Sequence, residues 1–105
     1  MTTIAIDVPK EQLREFCRKW KVTEFALFGS VTRPEEFGED SDVDVIVQFA
    51  PDAPLSLDGW LSMKQELAEI FGREIDLLDR SSVEDMRNYL RRAAILQTAV
   101  DLDVA

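Results

Sequence analysis

Phe25-Ala26-Leu27-Phe28-Gly29-Ser30 and, after a spacer of eleven residues, Asp42-Val43-Asp44-Val45-Ile46-Val47 decide how the rest of the chain is read. The first stretch has the character of a buried strand that breaks at Gly29, where the missing Cβ permits backbone angles and close approaches closed to other residues. Ser30 then places a hydroxyl and an N–H at the mouth of the turn. The second stretch alternates, so Asp42 and Asp44 point to one face of a strand and Val43, Val45 and Val47 to the other. Two neighbouring carboxylates repel unless a cation lies between them. A hard divalent ion with oxygen ligands, Mg²⁺ above all, suits them.

Composition narrows the function classes. The 105 residues give room for one domain and one core. A 46% hydrophobic and 31% charged content is that of a soluble globular chain. No apolar run approaches the roughly 20 residues of a membrane span, and Met1-Thr2-Thr3-Ile4 lacks the blocks of a signal peptide. A cytoplasmic protein is expected, without membrane attachment. Twelve basic against twenty-one acidic residues leave a net charge of −9. That balance argues against direct nucleic-acid binding, which needs Lys and Arg in excess. It favours a basic protein partner, or small anions brought in with metal ions. The chain has no histidine. Ser-His-Asp triads, Cys-His pairs and ordinary zinc sites are thereby excluded, and a general base must be a carboxylate or water. The single Cys17 shares a helix face with Leu13, Phe16 and Trp20 and reads as a core thiol.

Helical spacing runs from Pro9 to Trp20, and a first strand follows from Glu24 to Phe28. Ser30 to Arg33 has room for one helical turn before Pro34. Residues 34–41 form a polar loop anchored by Phe37, and the second strand covers Asp42 to Phe49. Pro51 and Pro54 mark a loop. Asp58 opens a helix that ends at Phe71-Gly72, with Trp60, Met63, Leu67 and Ile70 on its apolar face. Glu74 to Leu78 is a third strand. Ser82 and Asp85 read as a capping box for a helix reaching Leu96, with Tyr89 half-buried on it. Gln97 to Ala105 reads as a tail or a partner-facing segment, and Ile4, Ala5 and Ile6 as a lead-in touching the body. The whole is one α/β (α+β) domain, residues 1–105 with its core at about 9–96, built on a small mixed or antiparallel sheet packed by helices. Val43, Val45, Val47, Ile75 and Leu77 face the helices. Asp42, Asp44 and Asp76 share the opposite face.

Each motif has an ordinary reading. A Gly-Ser pair after a strand is usually a turn, Asp-x-Asp at a strand edge is commonly solvated, and Asp76 alone resembles a charge guarding a strand edge. Their occurrence together, on three strands or strand ends, is far harder to obtain by accident.

At these residues the sequence resembles the minimal nucleotidyltransferases of the DNA polymerase beta type. Their motif is Gly-Ser, a spacer, Asp-x-Asp, and a third acid on a neighbouring strand, matched here by Gly29-Ser30, Asp42-x-Asp44 and Asp76. It is similar above all to the MntA-type antitoxins, whose usual partner is a HEPN-domain toxin, HepT. The likeness runs from the first helix to Leu78, with an echo in Asn88-Tyr89-Leu90-Arg91-Arg92. The resemblance implies that Asp42, Asp44 and Asp76 are the catalytic and metal-binding residues for Mg²⁺ or Mn²⁺. It also implies that Gly29, Ser30 and Arg33 bind the phosphates of ATP, although an ion pair of Arg33 with Glu35 or Glu36 is an equal alternative. The implied reaction moves AMP from ATP to a tyrosine hydroxyl of the toxin and silences it, within a hetero-oligomer. Two departures from the family pattern stand out: the spacer is one residue longer than in close relatives, and Pro34 occupies a position where many have glycine. Two other readings compete, a binding antitoxin that neutralises its partner by covering it and a nucleotide-binding module without turnover. An aminoglycoside-modifying role is disfavoured, because those relatives carry an extra domain.

Overall fold

The apolar residues of the alternating strands have two faces to bury, and the fold supplies helices for both. A computed structural model describes residue 6 and residues 8–38, 41–53 and 56–105. Ile4, Ala5, Pro54 and Leu55, read above as lead-in and loop, lie outside the described residues, as do Glu39 and Asp40. Helix α1 (Lys10–Trp20) buries Leu13, Phe16 and Cys17. It stops where Lys21 takes a left-handed conformation, φ 57°, and returns its N–H to the Cys17 carbonyl. Strand β1 (Val22–Phe28) follows at once. Next come a 3₁₀ turn over Gly29–Thr32, a second over Pro34–Glu36, and strand β2 (Val43–Phe49). Helix α2 (Leu57–Phe71) leads to strand β3 (Ile75–Asp79). Helices α3 (Arg80–Glu84) and α4 (Tyr89–Thr98) precede a two-residue strand, β4 (Val100–Asp101).

The sheet is mixed, in the order β3-β2-β1-β4. Strands β1 and β2 run antiparallel, and β4 runs antiparallel to β1. Strands β2 and β3 are parallel, as a connection through a helix such as α2 allows. On one face Val43, Val45, Val47, Ile75 and Leu77 pack with Leu13 and Phe16 of α1 and Met63 and Leu67 of α2. Phe16 meets Phe25 edge-on at 6.2 Å, and Trp60 tilts against Phe49 at the same distance. Ile6 and Phe37 pack onto this core as partly buried neighbours. Burial pushes the Cys17 thiol up to about 11, so it stays protonated and serves as an apolar side chain. On the other face Phe28, Ile46, Val83 and Ile95 form a second, smaller core under α3 and α4. This cover stops short of the acidic end of the sheet.

Four sequence expectations are corrected. Ser56, not Asp58, caps α2: its hydroxyl accepts from the Gly59 N–H at 3.0 Å. The helix expected over 82–96 is two helices. Asp79 caps the first through the Ser81 N–H, and Asn88 caps the second through the Arg91 N–H, each at 3.2 Å. A capping side chain competes with the helical ladder for the backbone, and Asn88 ends continuity there. Tyr89, in the exposed first turn of α4, is 64% accessible instead of half-buried. Residues 97–105, read as tail or partner-facing, end α4 and carry β4. Leu102 donates to the Phe25 carbonyl at 2.9 Å, and Val104 is buried in the larger core. Among the described residues no helix is long and apolar enough to cross a membrane.

Candidate functional site

Strand β1 delivers Phe28 opposite Asp44 of β2 and then turns sharply at Gly29, φ +76°. A Cβ on Gly29 would lie 2.1 Å from Asp44 Oδ2. The carboxylate therefore occupies space that only glycine leaves open. The 3₁₀ turn beyond is held by Val31, which is fully buried, by Thr32 Oγ1 donating to the Gly29 carbonyl at 2.6 Å, and by Arg33 N–H donating to the Ser30 carbonyl at 2.9 Å. These contacts fix the backbone while leaving the Ser30 side chain half-buried at the surface. Among the described residues the Ser30 hydroxyl has no hydrogen-bond partner.

Register brings the second and third acids together. Asp44 lies opposite Asp76 across the parallel β2–β3 pair, and Asp42 stands just ahead of β2. Asp42 and Asp76 are exposed and Asp44 is half-buried. The Asp44 carboxyl is pushed up to about 6, first by burial and then by the charges of Asp76 and Asp42, against a smaller downward pull from Arg33. Among the described residues no three acidic, histidine or cysteine side chains are gathered closely enough to hold one ion jointly. The acids are thus near enough to feel one another, and two of them are free to turn. Arg33 forms an ion pair with Glu36, the alternative left open by its sequence, yet remains close enough to act on Asp44.

Arg73 was not singled out by sequence reasoning. Its Nη1 donates to the carbonyls of Gly38 at 2.8 Å and Ser41 at 3.0 Å, and its guanidinium lies 4.3 Å from the Phe37 ring centre. It clamps the loop that leads into Asp42 against the start of β3. The only signal was its position between the helix-ending Gly72 and the third acid.

A mixed sheet that sets a Gly-Ser turn, an Asp-x-Asp strand and a third acidic strand side by side has the architecture of a minimal nucleotidyltransferase. A solved structure described by that term superposes with a TM-score of 0.67 at 27% identity, over 89% of this chain and 88% of that one. The chain belongs to the nucleotidyltransferase domain family, whose model matches residues 9–101. Methanocaldococcus jannaschii supplies two relatives named as candidate protein adenylyltransferases. One is 36% identical over 67 residues, 64% of this chain and 66%, just under two thirds, of the relative. The other is 33% identical over 93 residues, 89% of this chain and 92% of the relative. The protein adenylyltransferase MntA of Thermococcus cleftensis is 37% identical over 75 residues, 71% of this chain and 70% of its own. Two further structures share the fold. A toxin–antitoxin protein solved with AMP-PNP matches at TM-score 0.66 and 20% identity, over 90% of this chain and 72% of that one. A tri-AMPylated HEPN toxin of Shewanella oneidensis in complex with its MNT antitoxin matches at TM-score 0.55 and 19% identity, over 88% and 66%.

Proposed function

We propose that this nucleotidyltransferase is the antitoxin of a toxin–antitoxin pair and transfers AMP from ATP to a tyrosine hydroxyl of a HEPN-domain toxin, in a reaction that needs Mg²⁺ or Mn²⁺. The observation that carries the reading is the Asp44 carboxylate seated against Gly29, next in sequence to a Ser30 hydroxyl without a partner among the described residues, and in register with Asp76. The relatives named as protein adenylyltransferases support the reaction, and the fold shared with toxin–antitoxin proteins supports the partner.

The donor set is all oxygen, and it sets the half-buried Asp44 beside the charges of Asp76 and Asp42. Those two features fit a hard divalent ion. Asp42, Asp44 and Asp76 would hold it once the exposed Asp42 and Asp76 turn toward Asp44, and when bound it supplies charge neutralisation along the triphosphate and at the reacting oxygens. Gly29 and Ser30 bind the terminal phosphates through backbone N–H groups and the Ser30 hydroxyl. Arg33 can join them by exchanging Glu36 for a phosphate. Asp76 orients the incoming hydroxyl and takes its proton, in a chain without histidine.

The competing reading, neutralisation by covering alone, draws on the net charge of −9, which suits a basic partner without any chemistry. Calorimetry separates the two at the nucleotide step. ATP with Mn²⁺ should give measurable heat with the wild type, a roughly tenfold weaker affinity with Ser30→Ala (loss of one hydrogen bond to a charged group), and an unchanged unfolding midpoint for that variant without ligand. An absence of heat at millimolar ATP and Mn²⁺ removes the transferase reading and leaves covering.

A further inference from the structure

Strand order leaves β3 at the margin of the sheet. The Val43 N–H donates to the Glu74 carbonyl at 2.9 Å, and Val43 lies opposite Ile75. In a parallel ladder of that phase the backbone groups of Glu74, Asp76 and Leu78 face β2, and those of Ile75 and Leu77 face outward. Among the described residues none of these outward groups has a hydrogen-bond partner. Such an edge is a template for a further strand. Beside it runs a cleft of about 440 Å³ lined by Asp42, Leu61, Lys64, Gln65, Glu74 and Asp76. Three carboxylates face one ammonium there, and Leu61 of α2 is 54% exposed.

We propose that this edge is the acceptor-docking line: an extended, basic segment of the acceptor protein adds to β3 as a fifth strand and presents its hydroxyl-bearing residue opposite Asp76. The proposal rests on the transferase reading above. Side chains opposite one another on neighbouring strands share a face. The residue across from Asp76 therefore projects to the face of Asp44, while its two neighbours project toward α2 and meet Leu61. Unpaired backbone groups give the segment its affinity, the chain's net charge of −9, only partly offset by an ion on the aspartates, favours basic flanks, and Leu61 favours an apolar neighbour. The hydroxyl oxygen, delivered along this line, attacks the α-phosphorus. A new O–P bond forms, the bond from the α-phosphorus to the bridging oxygen breaks, pyrophosphate leaves with the electron pair, and the hydroxyl proton passes to Asp76.

The test uses the intact chain, ATP, Mn²⁺ and a short synthetic peptide with one tyrosine flanked by leucines and then lysines. Peptide mass reports transfer. Two peptides of identical composition are compared, N-methylated on alternate residues of opposite parity. Strand addition predicts that one parity slows transfer at least tenfold and the other is tolerated, because only alternate N–H groups face β3. Leu61→Asp should raise the peptide KM about tenfold. Equal loss or equal tolerance of the two methylated peptides overturns the proposal. An unmodified parent peptide, with ATP and Mn²⁺ still giving heat, overturns strand addition and leaves the transferase reading standing. No heat from ATP and Mn²⁺ overturns both.

Discussion

Gly29 and Asp44 share one small volume, and each explains the other. Gly29→Ala introduces both a left-handed alanine and a Cβ 2.1 Å from Asp44 Oδ2, at a combined cost of about 2 kcal/mol or more. Asp44→Ala in the same chain removes the collision and should recover all but about 1 kcal/mol. Denaturant unfolding of the two single variants and the double variant checks this, and additive losses would mean that the two residues do not touch. Asp44 also sets a pH dependence. Its folded pKa of about 6 lies above the 3.8 of an ordinary aspartate, so the folded chain holds the proton more tightly. Asp44 therefore subtracts stability progressively as pH rises from about 4 to about 6, and by a constant amount above that. Asp44→Asn should thus match the wild type at pH 4 and exceed it at pH 7 by on the order of 1 kcal/mol, after discounting for the water that still reaches the carboxylate. Unfolding midpoints at the two pH values provide the check, and a variant less stable at pH 7 would mark Asp44 as a hydrogen-bonded structural carboxylate. Both residues were legible in the sequence because their signals are local: a glycine at a strand end and a two-residue alternation. The choice of Glu36 by Arg33, and the clamp formed by Arg73 on a loop distant in sequence, depend on tertiary approach that no spacing encodes.

At the scale of elements, the strands were readable from the alternation of Val43, Val45 and Val47 and from the run Phe25–Phe28: β1 and β2 end where expected, at Phe28 and Phe49, and the other bounds differ by one or two residues. Two features escaped. The break between α3 and α4 turns on Asp79 and Asn88 out-competing Ser82 as caps, a contest among similar polar side chains decided by where β3 ends. Strand β4 has only Val100 and Asp101, too short for any periodicity, and its partner β1 lies at the other end of the chain. Its value shows in Val104, which is 4% exposed and packs into the main core. Val104→Asp should cost about 3 kcal/mol through burial of an unpaired charge, measured by thermal or denaturant unfolding. A free tail would tolerate it without change.

For the whole molecule, the sheet acts as a divider. One face is closed by α1 and α2, the other is closed by α3 and α4 over part of its length, and the acids occupy the remainder. The net charge of −9 favours a basic partner for this surface. The central claim is that the chain marks its partner covalently, and intact-mass spectrometry of the HEPN-domain toxin after incubation with this chain, ATP and Mg²⁺ tests it most directly. The account predicts toxin carrying added AMP, pyrophosphate released in equal amount, both lost with Asp44→Asn, and silencing that persists after this chain is removed. Toxin of unchanged mass that is nonetheless fully silenced at equal concentration, and that regains activity on separation, would contradict it.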